Sequence, residues 1–214
     1  HAIENLVDGA FFNSGQSCCG IERIYVHERL YDDFVAAAIE ATRGYRLGNP
    51  LLSETNIGPV VRQSSADFIR GQMEQALSQG AVIHTEASGP EDISSPYIRP
   101  QILTGVTHDM RVMKEETFGP LVGVMKVASD DEAVALMNDS DFGLTAAVWT
   151  SDLEAARSIG GRLETGTVFM NRCDHLDPQL AWTGVKDSGR GCTLSVLGYD
   201  HLTRPKSFHL RHQF

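Results

Sequence analysis

Apolar residues at positions 3, 6, 7, 10 and 11 recur at helical spacing from the very start of the chain. They predict a helix that runs into Phe11-Phe12-Asn13-Ser14-Gly15-Gln16-Ser17-Cys18-Cys19-Gly20. That helix is entered without a cap and without Met, so the sequence is expected to be a fragment. Alternation over 21–26 predicts a strand. Leu30, Phe34, Ala37, Ala38 and Ala41 line one face of a helix over 30–43, stopped by Gly44 and the turn Gly48-Asn49-Pro50. Residues 56–61 read as a loop or short extended piece, 64–79 as a helix closed by Gly80, and 81–85 as a strand.

A polar Ser, Pro and Gly stretch over 86–96 predicts an exposed loop, followed by a strand at 97–103. Residues 121–127 are almost uninterruptedly apolar and predict a central strand. Ser129-Asp130-Asp131-Glu132 reads as a capping box for a helix to Asn138, and Ser151-Asp152-Leu153-Glu154 repeats it before a helix ending near Gly160-Gly161. Strands are expected at 144–149 and 166–171. The order strand, helix, strand, helix, strand from Leu121 implies an α/β fold with a mostly parallel sheet. Residues 172–214 are less regular and end in an alternating run, 206–211, expected as a strand with one polar face.

The 214 residues suffice for one large domain, with 42% hydrophobic and 21% charged residues. A net charge of −10 argues against nucleic acid or an anionic membrane as partner. No apolar run is long enough to span a bilayer, and no signal peptide is expected. Cys18, Cys19, Cys173 and Cys192 match no zinc spacing, so no metal site is expected, and a reducing, cytoplasmic compartment is the simplest setting.

A thiol on a tight turn between helix and strand, bracketed by Gly15 and Gly20, can sit beside its own backbone N–H. A covalent nucleophile needs that arrangement. Against this stands the ordinary fate of cysteines, which is to be buried and inert. The flanking Phe-x-x-x-Gly-Gln-x-Cys resembles the active-site signature of the aldehyde dehydrogenase superfamily, and the resemblance makes Cys18 the nucleophile and Cys19 its neighbour.

Glu116-Thr117-Phe118-Gly119-Pro120, by itself an ordinary solvated turn, resembles a second signature of that family. By resemblance Glu116 would hold the ribose hydroxyls of NAD or NADP, and Phe118 would pack beside the nicotinamide. Residues 138–150, 166–171 and 184–191 resemble further family segments. The glycine-rich run at 184–191 lacks the flanks of a P-loop. Phe12, Ser17, Cys19 and Trp182 would line the substrate pocket. Ala181-Trp182-Thr183-Gly184 departs from the commoner Pro-Phe-Gly-Gly of the family, and the loop 172–177 sits where family members vary with substrate.

The resemblance covers the family's C-terminal half. It implies an aldehyde dehydrogenase catalytic domain over 1–187, with helices on both faces of the sheet, and a segment 188–214 ending in an oligomerisation strand of a homodimer or homotetramer. The dinucleotide-binding domain, the general-base Glu and the Asn of the oxyanion site lie upstream in the family, so these residues alone are expected to be inactive. The implied reaction oxidises a small aldehyde to a carboxylic acid through a Cys18 thiohemiacetal and thioester. A coenzyme-A-acylating semialdehyde dehydrogenase, or a non-catalytic structural protein of the same fold, remain the alternatives.

Overall fold

The computed structural model describes residues 1–89, 95–173 and 175–213. The loop expected over 86–96 therefore lies partly outside the described residues, as do position 174 of the loop 172–177 and the last residue. The elements in order are α1 (Ala2–Phe11), β1 (Arg23–His27), α2 (Glu28–Thr42), α3 (Gln63–Ser78), β2 (Val82–His84), β3 (Gln101–Thr104) and β4 (Leu121–Val127). They continue with α4 (Asp130–Asn138), β5 (Phe142–Gly143), β6 (Thr145–Val148), α5 (Leu153–Gly160), β7 (Thr167–Met170), β8 (Val185–Lys186) and α6 (Leu197–Leu202).

The main sheet has the order β1-β4-β3-β2. Strands β1, β4 and β3 run parallel, and β2 joins antiparallel at one edge. Side chains on successive strand positions point to opposite faces, and the core sorts by this parity. Ile24, Val26, Ile102, Val122 and Val124 pack under α1 and α2 with Phe11 and Ala38. Leu103 and Leu121 pack on the other face with Ala66, Ile69 and Ala76 of α3. A Cβ on Gly123 would crowd Met113 Sδ at 2.5 Å, so that glycine makes room for a side chain covering the centre of β4. Burial on both faces explains the apolar run at 121–125, and the expected strand at 121–127 coincides with β4, whose Lys126 is exposed.

A smaller unit pairs β6 with β7 in parallel, packed by Val134, Ala146 and Leu163 around α4 and α5. The alternation from Leu121 predicts the parallel β6–β7 crossover. It does not predict that β6 pairs with β7 rather than with the main sheet. Ser129 caps α4, accepting from Glu132 N, while Glu132 reaches back to accept from Ala128 N. At α5 the cap is Asp152, one residue later than the expected box, accepting from Glu154 N and Ala155 N. The strand expected at 97–103 shrinks to β3, because Pro96 and Pro100 cannot donate to a ladder. The strand expected at 206–211 is not formed. Residues 203–213 carry no regular structure, and Phe208 and Leu210 are exposed at 72% and 85%, since an alternating run has no strand geometry without a partner ladder.

Candidate active site

The chain leaves helical geometry immediately after Phe11, which is fully buried. Phe12 is extended at its backbone and exposed, and Asn13, Ser14 and Gly15 then take φ of 52°, 59° and 72°. Two consecutive non-glycine residues in the left-handed region cost on the order of 1 kcal/mol or more each. Local bonds hold them there. Asn13 Nδ2 donates to Gln16 O at 3.0 Å and Gln16 Nε2 to Asn13 O at 3.1 Å. Ser14 Oγ donates to Gly58 O at 2.6 Å, and Gln16 Oε1 accepts from Val61 N at 2.8 Å. The Gln before the thiol is thus an anchor to the segment around 58–61. Gly20 N donates to Ser17 O at 3.0 Å and closes a turn around Cys18 and Cys19, and Ile21 N returns to Gly9 O at 2.9 Å.

Cys18 is exposed and Cys19 half-buried, and neither of them, nor Cys173 or Cys192, forms a disulfide with another described residue. Partial burial of its sulfur pushes the Cys18 thiol above its ordinary value, with the neighbouring Cys19 adding to the rise. The backbone amides of Cys18 and Cys19 act in the opposite direction without reversing it. Cys173 is buried, lies against Gly9 of α1, and donates to Asn5 O.

A second turn abuts the first. Arg23 Nη1 donates to Met113 O at 3.2 Å. Glu22, whose carboxylate the sequence distinguishes only as a polar strand position, accepts from Thr117 N at 2.9 Å and Phe118 N at 3.0 Å. Burial pushes Glu22 above the usual carboxylate range against the pull of those two amides. Phe118 itself has a φ of 48° and is 40% exposed.

The two adjacent glutamates separate by environment. Glu115 is engaged by Arg111 Nε at 2.9 Å and Gln72 Nε2 at 3.3 Å, and the Arg111 bond pulls its carboxyl below the ordinary range. Glu116 is exposed and accepts no hydrogen bond from any described residue. Behind the turn, Lys114 pairs with Asp139, which meets His108 Nδ1 at 2.9 Å, and His108 Nε2 meets Tyr25 Oη at 2.7 Å. Lys114 and His108 hold Asp139 below its ordinary value, and burial pushes Tyr25 up to about 12.

A cavity of about 620 Å³ receives Cys18, Glu22 and Glu116 together. Every residue from 21 to 27 and from 142 to 150 lines it. Consecutive lining marks strand edges rather than faces, and β1 and β6 each have a pairing partner on their other side only. Phe12, Ser17, Cys19, Phe118 and Trp182 do not line it. Trp182 instead exchanges backbone bonds with Thr193 at 2.7 and 2.9 Å. Among the described residues no group of three or more His, Cys, Asp or Glu is placed to hold a metal, and no helix is long and apolar enough to cross a membrane.

The structure is an α/β fold in which a thiol on a strained turn and an exposed glutamate line one cavity. Residues 1–208 match the aldehyde dehydrogenase family, and the chain belongs to that family. It is 34% identical over 207 residues to rabbit (Oryctolagus cuniculus) aldehyde dehydrogenase 1A1, covering 97% of this chain and 42% of that protein. It is 37% identical over 204 residues to the succinate-semialdehyde dehydrogenase [NADP(+)] of Deinococcus radiodurans, covering 95% and 43%. The solved structure of Staphylococcus aureus betaine aldehyde dehydrogenase in complex with NAD+ superposes with a TM-score of 0.86 at 31% identity, over 93% of this chain and 40% of that one. An aldehyde dehydrogenase from Bacillus cereus gives 0.88 at 30% identity, over 94% and 41%. The chain thus spans about two-fifths of the length of these relatives.

Proposed function

We propose that this chain supplies the nucleophile-bearing part of an NAD(P)-dependent aldehyde dehydrogenase that oxidises a small aldehyde to a carboxylic acid. The observation that carries the reading is that Cys18 and the unpartnered Glu116 line one cavity, on two turns that abut each other.

Cys18 Sγ would form the C–S bond to the carbonyl carbon of the aldehyde, with the carbonyl electron pair moving to its oxygen. The amides of Cys18 and Cys19 act to lower the thiol's pKa and are the candidate donors for charge developing at that centre. Glu116 suits the vicinal hydroxyls of a ribose, because an ionised carboxylate only accepts hydrogen bonds and here has no other partner. Phe118, exposed two residues on, offers an apolar surface beside it. These residues fit NAD or NADP, and a nicotinamide bound there would supply a hydride acceptor. Cys18 would then carry the acyl group as a thioester until water releases the acid. The thiol is not depressed by its surroundings in this chain, so the family's cofactor or upstream residues would have to favour the thiolate. Four cysteines without a disulfide among the described residues suit a reducing compartment such as the cytoplasm.

The test is NADH or NADPH production with a panel of aldehydes, in the polypeptide that carries this chain together with a dinucleotide-binding domain. Cys18→Ala should reduce turnover to background and Cys19→Ala should retain most of it. Glu116→Gln loses about 1.5–3 kcal/mol of charge-assisted bonding, which corresponds to about 10- to 150-fold in hydride transfer. Turnover by Cys18→Ala near that of the unsubstituted enzyme would remove the nucleophile from the reading.

A further inference from the structure

We propose that Glu22 is a positioning residue for the reaction, its carboxylate spanning the amides of Thr117 and Phe118 and so fixing where Glu116 stands relative to Cys18. The inference rests on the dehydrogenase reading above.

Glu22 follows Cys18 by four residues. Between them the Gly20 N to Ser17 O bond closes the thiol turn, and Ile21 N is tied to Gly9 O of α1. The backbone of Glu22 is therefore fixed to the thiol turn on one side and to β1 on the other. Its two oxygens take separate donors: Oε2 accepts from Thr117 N and Oε1 from Phe118 N. Successive amides can face one acceptor in this way only where the chain bends, and the φ of 48° at Phe118 provides that bend. The turn is an anion-binding concavity filled by a side chain of the same molecule.

The steric contacts nearby cannot substitute for it. Gly119 is crowded by Gly15 and Ile69, but contact between backbone and methyl groups resists approach without fixing orientation. Two charge-assisted bonds on one rigid carboxylate do fix orientation. The chemistry also specifies glutamate. Glutamine has the same shape, yet presents one oxygen and one NH2, and the NH2 would face an amide donor. Aspartate falls one methylene short.

Amide hydrogen exchange tests the clamp and single-turnover kinetics test its consequence, both on the polypeptide that carries this chain together with a dinucleotide-binding domain. Glu22→Gln should speed exchange at Thr117 or Phe118 and Glu22→Ala at both, while β4 stays protected. Glu22→Gln should slow hydride transfer about tenfold or more, with Cys18 alkylation by iodoacetamide changed by less than about twofold, since the thiol turn has its own bonds. The double variant Glu22→Gln/Glu116→Gln should be no slower than Glu116→Gln alone, because Glu22 acts through Glu116. Unchanged exchange at both amides overturns the proposal. So does faster exchange with unchanged hydride transfer, or a double variant in which the two losses multiply. An unsubstituted enzyme that makes no reduced cofactor with any aldehyde defeats the dehydrogenase reading itself, and the positioning role with it.

Discussion

Gly15 and Gly119 lie back to back: a methyl group built on Gly15 would run into the carbonyl of Gly119. The turn that presents Cys18 and the turn that presents Glu116 therefore meet backbone to backbone, although they are far apart in the chain. No side chain separates them, and the Glu22 carboxylate bonds across the same junction.

Gly15→Ala is expected to destabilise the chain by more than the roughly 0.4–1 kcal/mol that glycine flexibility alone involves, because it adds a collision to a φ of 72°. Gly80 provides the comparison. Its φ of 98° is equally unsuited to alanine, but nothing lies within 4 Å of a Cβ built there. Urea midpoints should fall further for Gly15→Ala than for Gly80→Ala. Equal losses would show that the two turns are not in contact.

Gln16→Glu places a carboxylate oxygen where Nε2 now faces the carbonyls of Asn13 and Pro59. The bond from Val61 N to Oε1 survives, but two acceptors then oppose a charge. A cost of about 1–3 kcal/mol is expected, together with faster amide exchange across 13–17. A thermal midpoint matching that of the unsubstituted chain would mean that Gln16 does not anchor the thiol turn.

Cys18 alkylation should depend steeply on pH. Its thiol is raised above the ordinary value, so the neutral form dominates at neutral pH and the thiolate appears as pH rises through that raised value. Below it, the iodoacetamide rate should climb about tenfold per pH unit. Cys19→Ala removes the neighbour that adds to the rise, so the profile should move to lower pH, while the larger effect of burial persists. A profile that stays in place or moves upward on Cys19→Ala contradicts this account.

Deleting residues 205–214 should leave the unfolding midpoint of the remaining chain within about 0.5 kcal/mol, since the removed side chains that are described are exposed. If 206–211 is instead the strand through which subunits assemble, light scattering should show a smaller particle after the deletion. An unchanged particle mass would exclude assembly through that segment.

Much of the local structure was legible because it is governed by nearest neighbours. The helical apolar spacing of α2 and α3, the capping at Ser129 and the buried strand at 121–127 all follow from patterns within a few residues. The Cys18 and Glu116 motifs were legible because each occupies a short segment. Their neighbours behaved differently. Glu115 and Glu116 are indistinguishable as letters, and only Arg111, four residues before Glu115, and Gln72, brought in from α3, decide which is engaged and which is left free. Trp182 reads as a pocket wall, yet it forms a backbone bridge to Thr193 and does not line the cavity that holds Cys18.

The sequence by itself determined the α/β alternation, the thiol turn, the acidic turn and the family. The tertiary structure alone decided that the two turns share one cleft, that Glu22 ties them together, that β6 pairs with β7, and that 206–211 is not a strand in the isolated chain. The physical reason is range. Periodicity, capping and turn chemistry depend on backbone geometry within a few residues. Pairing of strand edges, the engagement of a carboxylate and the shift of a thiol depend on which distant groups arrive beside them, and an edge without a partner has no ladder to form.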